Sequence, residues 1–559
     1  MLAIRITVFG YILFALAWLS YDHYMPWMSF HSEALALYAI GLLAVGRCFK
    51  GDANKLKLPR VAGLIFFVTL VPWSHYLLGI SPFFGDALVN SLYLCSLAMA
   101  IWLGYTYALE RVETNYAVTG VFFMLLFAAL ASAAIGLVQW LGLNEPLGMY
   151  VMQTDIGDRA MGNLGQPNQL ATLLLIGIVS LVWIFEQKRI GYVGLIFGVT
   201  FLTLGLALTR SRAGLISVFA VAAFLLWKNW VSPRRLPSRY LLGWLLSYCV
   251  LLFVTAYLQD FLMLGSSRSV NIVADTSRPM IWKQVMFGIS QAPWFGYGWN
   301  QTSAANTAGS IAVASFIPVT YAHNIVLDIF AWNGLPLGLL LTGLCGWWFL
   351  SRLRHVNQPM SIYAMAALIP MLVHSMVEYP FAYSYFLLAA GLMVGIVEAF
   401  HFNVKTALLD VRWIRVSLAV WMVVGSYMFY EYLQIEKDFV VVRFENLRVG
   451  QTPVDYAAPD IFLLSHMGNM LNAFRQKAEP NMRSEKLENL RLTSLRFPYG
   501  SLGYRYAIAL GLNGSPEAAT RQFAILRGLY GPEYYLSAVD ALRQLQKDKY
   551  PELSLVVTP

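Results

Sequence analysis

The chain has 559 residues, 58% of them hydrophobic and 12% charged, with a mean hydropathy of +0.58. Soluble domains carry about 25% charged residues, so this composition excludes an ordinary soluble globular protein and points to a polytopic membrane protein. The net charge of +9 comes without any basic stretch interleaved with aromatics, which argues against a nucleic-acid partner and assigns the excess to membrane topology.

Apolar runs of the ~20 residues needed to cross a bilayer recur through the first three-quarters of the chain. They predict thirteen helices, at 5–21, 33–48, 61–80, 85–108, 117–142, 167–186, 190–208, 213–230, 239–264, 323–351, 360–378, 383–402 and 413–432. The first follows Arg5 and has no small-residue cleavage site before "YDHYMPW", so it is expected to be retained. Cys48, Cys95, Cys249 and Cys345 all lie in or beside apolar runs. They offer neither a disulfide framework nor metal-site spacing.

With a cytoplasmic N-terminus, alternate loops are cytoplasmic and carry 17 Lys and Arg, against 6 in the opposite loops. That asymmetry fits the positive-inside rule. The six exceptions are Arg159, Arg210, Arg212, Arg268, Arg278 and Lys283, confined to loops 143–166, 209–212 and 265–322. Misplaced positive charge is costly, which invites a functional reading.

Residues 433–559 differ from the rest, with 15 basic and 13 acidic residues. "SPEAATRQFAILRGLYG" and "PEYYLSAVDALRQLQKDKY" show helical spacing with Pro near each start. The fold class expected is an all-α polytopic membrane protein of about 13 transmembrane helices, comprising a transmembrane domain, 1–432, with a large external loop at 265–322 that carries short helices. A soluble helical domain, 433–559, would follow on the external face, its spacing compatible with tetratricopeptide-like hairpins.

Polar residues interrupt this pattern at four places. In "MGNLGQPNQLATLLLI", Pro167 suits the first turn of a helix, and Asn163, Gln166, Asn168 and Gln169 crowd its entry. They fit either capping with interfacial amides or a hydrogen-bonding rim for a sugar or phosphate. In "LTRSRAGLISVF", Arg210 and Arg212 form a tight turn. They fit either snorkelling or bidentate phosphate contact. In "TSRPMIWKQVMFGISQAPWFGYGWNQ", Arg278 precedes Ile281, Trp282, Val285, Met286 and Ile289, an amphipathic helix suited to the membrane interface. It could be a lid without chemistry. Finally, "YAHNIVLDIF" puts His323 at the cap of a helix, with Asn324 and Asp328 on one side of it. "HSMVEYPFAYSYF" brings Glu378, Tyr379 and Tyr383 to the same outer surface. Imidazole can take a proton from a hydroxyl near neutrality, and arginines can neutralise a phosphate leaving group. The sequence has no D-x-D metal motif, G-x-G-x-x-G or P-loop, so neither a metal nor a nucleotide-driven step is expected. A transporter or flippase would instead spread polar residues through the membrane depth.

"SRPMIWKQVMFGISQAPWFGYGWN", followed by "AHN" opening a span, resembles the core of the O-antigen ligase and polymerase superfamily. "GNLGQPNQLA", the "EYP" turn and the soluble C-terminal region resemble, more closely, the bacterial O-linked oligosaccharyltransferases of the PglL type. The resemblance implies transfer of a glycan from undecaprenyl pyrophosphate to Ser or Thr of an exported protein such as a pilin. The transfer would need no cofactor and would occur at the periplasmic face of the bacterial inner membrane. It further implies that His323 matches an essential His and Tyr379 the Tyr of the "EYP" turn. Arg212 and Arg278, with Arg210 as the alternative to Arg212, would hold the pyrophosphate. Gln166 and Asn168 would line the sugar or diphosphate site, and Asn324, Glu378 and Trp282 complete the expected substrate-binding set. A lipid A-core O-antigen ligase or O-antigen polymerase would use the same donor with another acceptor.

Overall fold

A computed structural model describes residues 2–50, 54–110, 115–231, 234–262, 264, 277–402 and 404–558. The first part of the expected external loop, residues 265–276 with Arg268, lies outside the described residues. The chain is 74% helical. Among the described residues, the sheet content is a single antiparallel pair, Lys55–Pro59 with Thr406–Asp410, in which Lys55 faces Asp410 and Pro59 faces Thr406.

Each of the thirteen expected apolar segments carries a helix. Among the described residues, eight helices are long and apolar enough to cross a membrane, including Phe84–Ala108, Tyr116–Trp140, Pro167–Glu186, Arg212–Val231 and Ser238–Phe261. Leu2–Ala17, Tyr192–Leu208, Pro359–Ser375 and Ser384–Ala399 are shorter apolar helices. The protein is an all-α polytopic membrane protein.

The chain divides into two compact units. The first comprises Met1–Val68, Tyr93–Val273 and Gly346–Val424; the second comprises Thr69–Leu92, Ala274–Cys345 and Gly425–Pro559. The Val411–Leu447 helix runs unbroken through the expected domain boundary at 432.

In the first unit the Pro167–Glu186 helix is apolar on every side and buried from Gln169 through Phe185. A helix of that kind needs neighbours all round. Small residues let helices approach closely. A Cβ on Gly104 would stand 2.0 Å from the Leu392 carbonyl oxygen, and one on Gly395 2.0 Å from that of Ile101.

The second unit is assembled from three stretches of chain, and buried charge ties them together. Arg496 donates from Nε to Asp86 Oδ1 at 2.9 Å and Oδ2 at 3.1 Å. Gln301 Nε2 donates to Asp86 Oδ2 at 3.0 Å. Glu431 accepts the backbone N–H groups of Phe462, Leu463 and Leu464 at 2.8–3.0 Å. Arg475 forms a bidentate pair with Asp438 at 2.6 and 2.7 Å. The C-terminal helices are Ser465–Arg475, Ser484–Arg496, Gly500–Leu512 and Pro516–Asp548, the last broken at Gly531 before Pro532. Gly500–Leu512 and Pro516–Asp548 pack on one another around Phe523, Leu526 and Leu542.

Two expectations need correction here. The segment expected as one span at 323–351 is interrupted at Gly334 (φ 70°, ψ −179°) in the Ile325–His355 helix, two residues before Pro336, which has no N–H to donate. The "APWFGYGW" turn fills the gap. Tyr297 and Gly298 donate their N–H groups to Ala331 and Trp332 carbonyls at 2.8 and 3.1 Å, and Leu335 N–H donates to the Pro293 carbonyl at 2.7 Å. The Ser277–Gln291 helix, expected to present Ile281, Trp282, Val285, Met286 and Ile289 as one apolar face, buries Ile281, Val285 and Ile289 in protein. Gly288 makes this possible by meeting the Thr302–Gly309 helix so closely that a Cβ would stand 2.0 Å from the Ala305 carbonyl oxygen. Met286, expected on the apolar face, is exposed.

Candidate functional site

Each unit carries one organised group of the expected residues. In the first, the residue before a proline is pushed toward extended backbone. Gln166 accordingly has φ −144° and ψ 122°, and Pro167 opens the Pro167–Glu186 helix. Gln166 is half-buried, at the N-cap position.

Asn168 follows and acts as a hub. Its Oδ1 accepts from Ser211 Oγ at 2.7 Å and Arg159 Nη2 at 3.3 Å. Its Nδ2 donates to Glu378 Oε1 at 3.4 Å. One turn on, Thr172 Oγ1 bridges the Asn168 carbonyl (3.0 Å) and His374 Nδ1 (2.9 Å). Asn168 therefore joins three other segments, ahead of the helix, at the 209–211 turn and at the "EYP" turn.

Arg159 adds a second strap, donating from Nε to the Thr209 carbonyl at 2.8 Å. The turn itself reverses through Arg210 at φ 46°. Arg210 Nη2 donates to Gln259 Oε1, and Gln259 Nε2 donates to the Gly157 carbonyl at 2.7 Å. Burial pulls the Arg210 pKa down and Asp260 opposes it; the guanidinium stays charged. Ser211 Oγ accepts the Gly214 N–H at 2.9 Å, an N-cap bond for the helix that begins at Arg212. Arg212 is exposed at that helix start. Tyr379 stacks on Tyr383 with ring centroids 6.0 Å apart, and Tyr383 stacks on Tyr385 at 5.5 Å.

In the second unit, Arg278 is the second residue of the Ser277–Gln291 helix, half-buried, with Trp282 one turn further on. Trp282 Nε1 donates to the Ala322 carbonyl at 2.9 Å. Ala322 N–H donates to Asp328 Oδ1 at 2.8 Å. His323 follows with φ 55°, in the left-handed region that non-glycine residues rarely adopt. His323 was expected to cap the helix, but Asn324 holds that position. The Asn324 Oδ1 accepts the N–H groups of Val326 (3.0 Å) and Leu327 (3.2 Å), and His323 stands one residue outside.

The structure thus brings Asn168 and Glu378 into contact, with Arg210 and Arg212 on the turn that Asn168 holds. Separately, it joins Trp282 to the backbone beside His323 and Asn324. Asn168 is spent on protein partners rather than displayed as a free amide. Sequence reading missed the roles of Arg159, Ser211, His374 and Gln259. Arg159 had one signal, its charge on the side that normally excludes it.

The family described as "O-Antigen ligase" matches residues 196–342, which hold Arg210, Arg212, Arg278, His323 and Asn324. "Protein glycosylation ligase" matches 160–185, the Gln166–Asn168 entry. "Virulence factor membrane-bound polymerase, C-terminal" matches 362–544, from the Pro359–Ser375 helix into the C-terminal helices. The chain is 28% identical over 544 residues to a general O-oligosaccharyltransferase of Acinetobacter baylyi, covering 94% of this chain and 92% of the relative. Its matches thus lie with the O-antigen ligase and protein glycosylation ligase families and with O-oligosaccharyltransferases. A ComP-specific O-oligosaccharyltransferase of the same organism is 27% identical over 385 residues, 66% of each chain. The protein is a glycosyl-transferring enzyme, and apart from Arg159 the side chains of the two polar groups fall inside the matched segments.

Proposed function

We propose that this enzyme transfers an oligosaccharide from undecaprenyl pyrophosphate to Ser or Thr hydroxyls of exported, pilin-like proteins. The work would be done at the periplasmic face of the bacterial inner membrane. The observation that carries the reading is likeness along 94% of the chain to a general O-oligosaccharyltransferase, with the expected residues other than Glu378 and Tyr379 inside the ligase segments.

In the proposed reaction the acceptor oxygen attacks the anomeric carbon. The bond to the diphosphate oxygen breaks, and its electron pair leaves with the diphosphate. His323 takes the hydroxyl proton. Arg212 and Arg278 stabilise the charge developing on the diphosphate, for which the planar guanidinium is suited, with Arg210 steadying the turn that bears Arg212. Tyr379, Gln166, Asn168, Asn324, Glu378 and Trp282 shape the donor site, Asn168 and Trp282 through protein partners. In-line attack inverts the anomeric carbon. The match of residues 362–544 to a polymerase favours a second reading, in which the acceptor is a glycan or lipid A-core hydroxyl.

Purified enzyme supplied with a polyprenyl-pyrophosphate oligosaccharide and either a Ser-bearing acceptor protein or lipid A-core distinguishes them. Glycan on the protein supports the first reading; glycan on lipid A-core alone, or chain extension of the donor, replaces it.

A further inference from the structure

Asp328 has no part in the mechanism above, yet it stands one turn into the Ile325–His355 helix and is fully buried. A carboxylate in such a place is costly and calls for compensation. Its Oδ1 accepts two hydrogen bonds, from Thr302 Oγ1 at 2.7 Å and Ala322 N–H at 2.8 Å. Its Oδ2 is buried without a hydrogen-bond partner. His323 directly follows Ala322, the residue whose N–H this carboxylate holds. The two donors therefore leave the capacity of Oδ2 unused.

The surroundings fix both groups. Thr302 Oγ1 accepts from Trp332 Nε1 at 2.8 Å, which turns its own hydrogen toward Asp328. Ala322 is held from both sides, its N–H by Asp328 and its carbonyl by Trp282. His323 comes next, in the left-handed conformation. Such backbone persists only where its surroundings enforce it, and the Asp328–Ala322 bond is one of those enforcers.

We propose that Asp328 is the positioning residue for His323: it sets the backbone from which the ring projects and balances the imidazolium formed when the acceptor's proton moves to it. The inference rests on His323 being the base. In the step, the acceptor oxygen–carbon bond forms, the carbon–diphosphate bond breaks, and the proton passes to His323. Asp328 keeps its own protonation throughout.

The test is Asp328→Asn, which preserves an acceptor for Thr302 and Ala322 and removes the charge. Transfer from a polyprenyl-pyrophosphate oligosaccharide to a Ser-bearing protein gives kcat and the donor KM. The expected result is a fall in kcat of about 100-fold, the scale of general-base contributions, with donor KM and membrane abundance within threefold of wild type. A kcat within threefold, or a loss of kcat matched by a rise in KM, overturns the proposal. If Asp328→Asn does not accumulate, Thr302→Val decides. It keeps the charge and removes one hold, and kcat should fall about tenfold at unchanged KM; an unchanged kcat overturns the proposal. His323→Ala runs alongside. Active His323→Ala defeats the base assignment and this inference with it, whereas inactive His323→Ala beside active Asp328→Asn defeats this inference alone.

Discussion

Replacing Arg496 with Met tests how the second unit is held together. Arg496 and Asp86 are paired with side-chain exposures of 11% and 2%, at 2.9 Å. The pair joins the start of the Phe84–Ala108 helix to the end of Ser484–Arg496, and Gln301 adds the third stretch of chain. Removing one partner of a buried pair costs about 3–5 kcal/mol, because the other charge stays buried without its counter-ion. Gln301 remains to Asp86, which puts the expected loss near the lower end, about 3 kcal/mol. For a unit of 231 residues each kcal/mol moves the midpoint by about 2–4 °C, so thermal unfolding of detergent-purified protein should drop by about 10 °C. The double substitution Arg496→Met with Asp86→Leu should recover most of that loss, since well-packed apolar residues replace buried pairs at little cost. A single variant within 1 °C of wild type, or a double variant no better than the single, refutes this account of the unit.

Three further outcomes follow from particular contacts. Arg159→Ala releases the Thr209 carbonyl and Asn168 from one strap, and should lower the rate of glycan transfer by about tenfold, roughly 1.4 kcal/mol; an unchanged rate would show that the 209–211 turn is held without it. Gly288→Ala drives a Cβ into the Ala305 carbonyl and should cost about 1–3 kcal/mol in thermal stability, whereas Gly243→Ala, with open space around it, should cost little. Burial holds the His466 pKa at about 4, below the usual 6.5, with Asp86 opposing and Arg496 assisting. The unfolded chain therefore binds the proton more readily, and this contribution to stability is complete above pH 6.5 and lost as pH falls toward 4. Between pH 7 and pH 5 the loss is about 2 kcal/mol, measurable as a falling midpoint that His466→Phe should flatten.

Helix positions were legible because a bilayer demands long apolar runs, and such runs need no knowledge of their partners. Polar residues at the helix entries were legible for the same reason, being exceptions to a strong rule. What lay beyond reading was tertiary pairing. Met286 shares a helical face with Ile281 and Ile289 by spacing, yet Gly288 decides which side meets protein. Gly334 and Pro336 announce a weak point, but only the docked Tyr297–Gly298 turn makes it a break. Asn168 reads as a ligand-binding amide from sequence; its partners Arg159, Ser211 and Glu378 lie 9 to 210 positions away.

The proposed transfer is tested most directly by the intact mass of a pilin-like acceptor co-expressed with a lipid-linked glycan pathway and this enzyme. It predicts an increase of one glycan mass with the wild-type chain and none with His323→Ala at equal enzyme level. A glycan-sized increase that survives loss of the imidazole would contradict it.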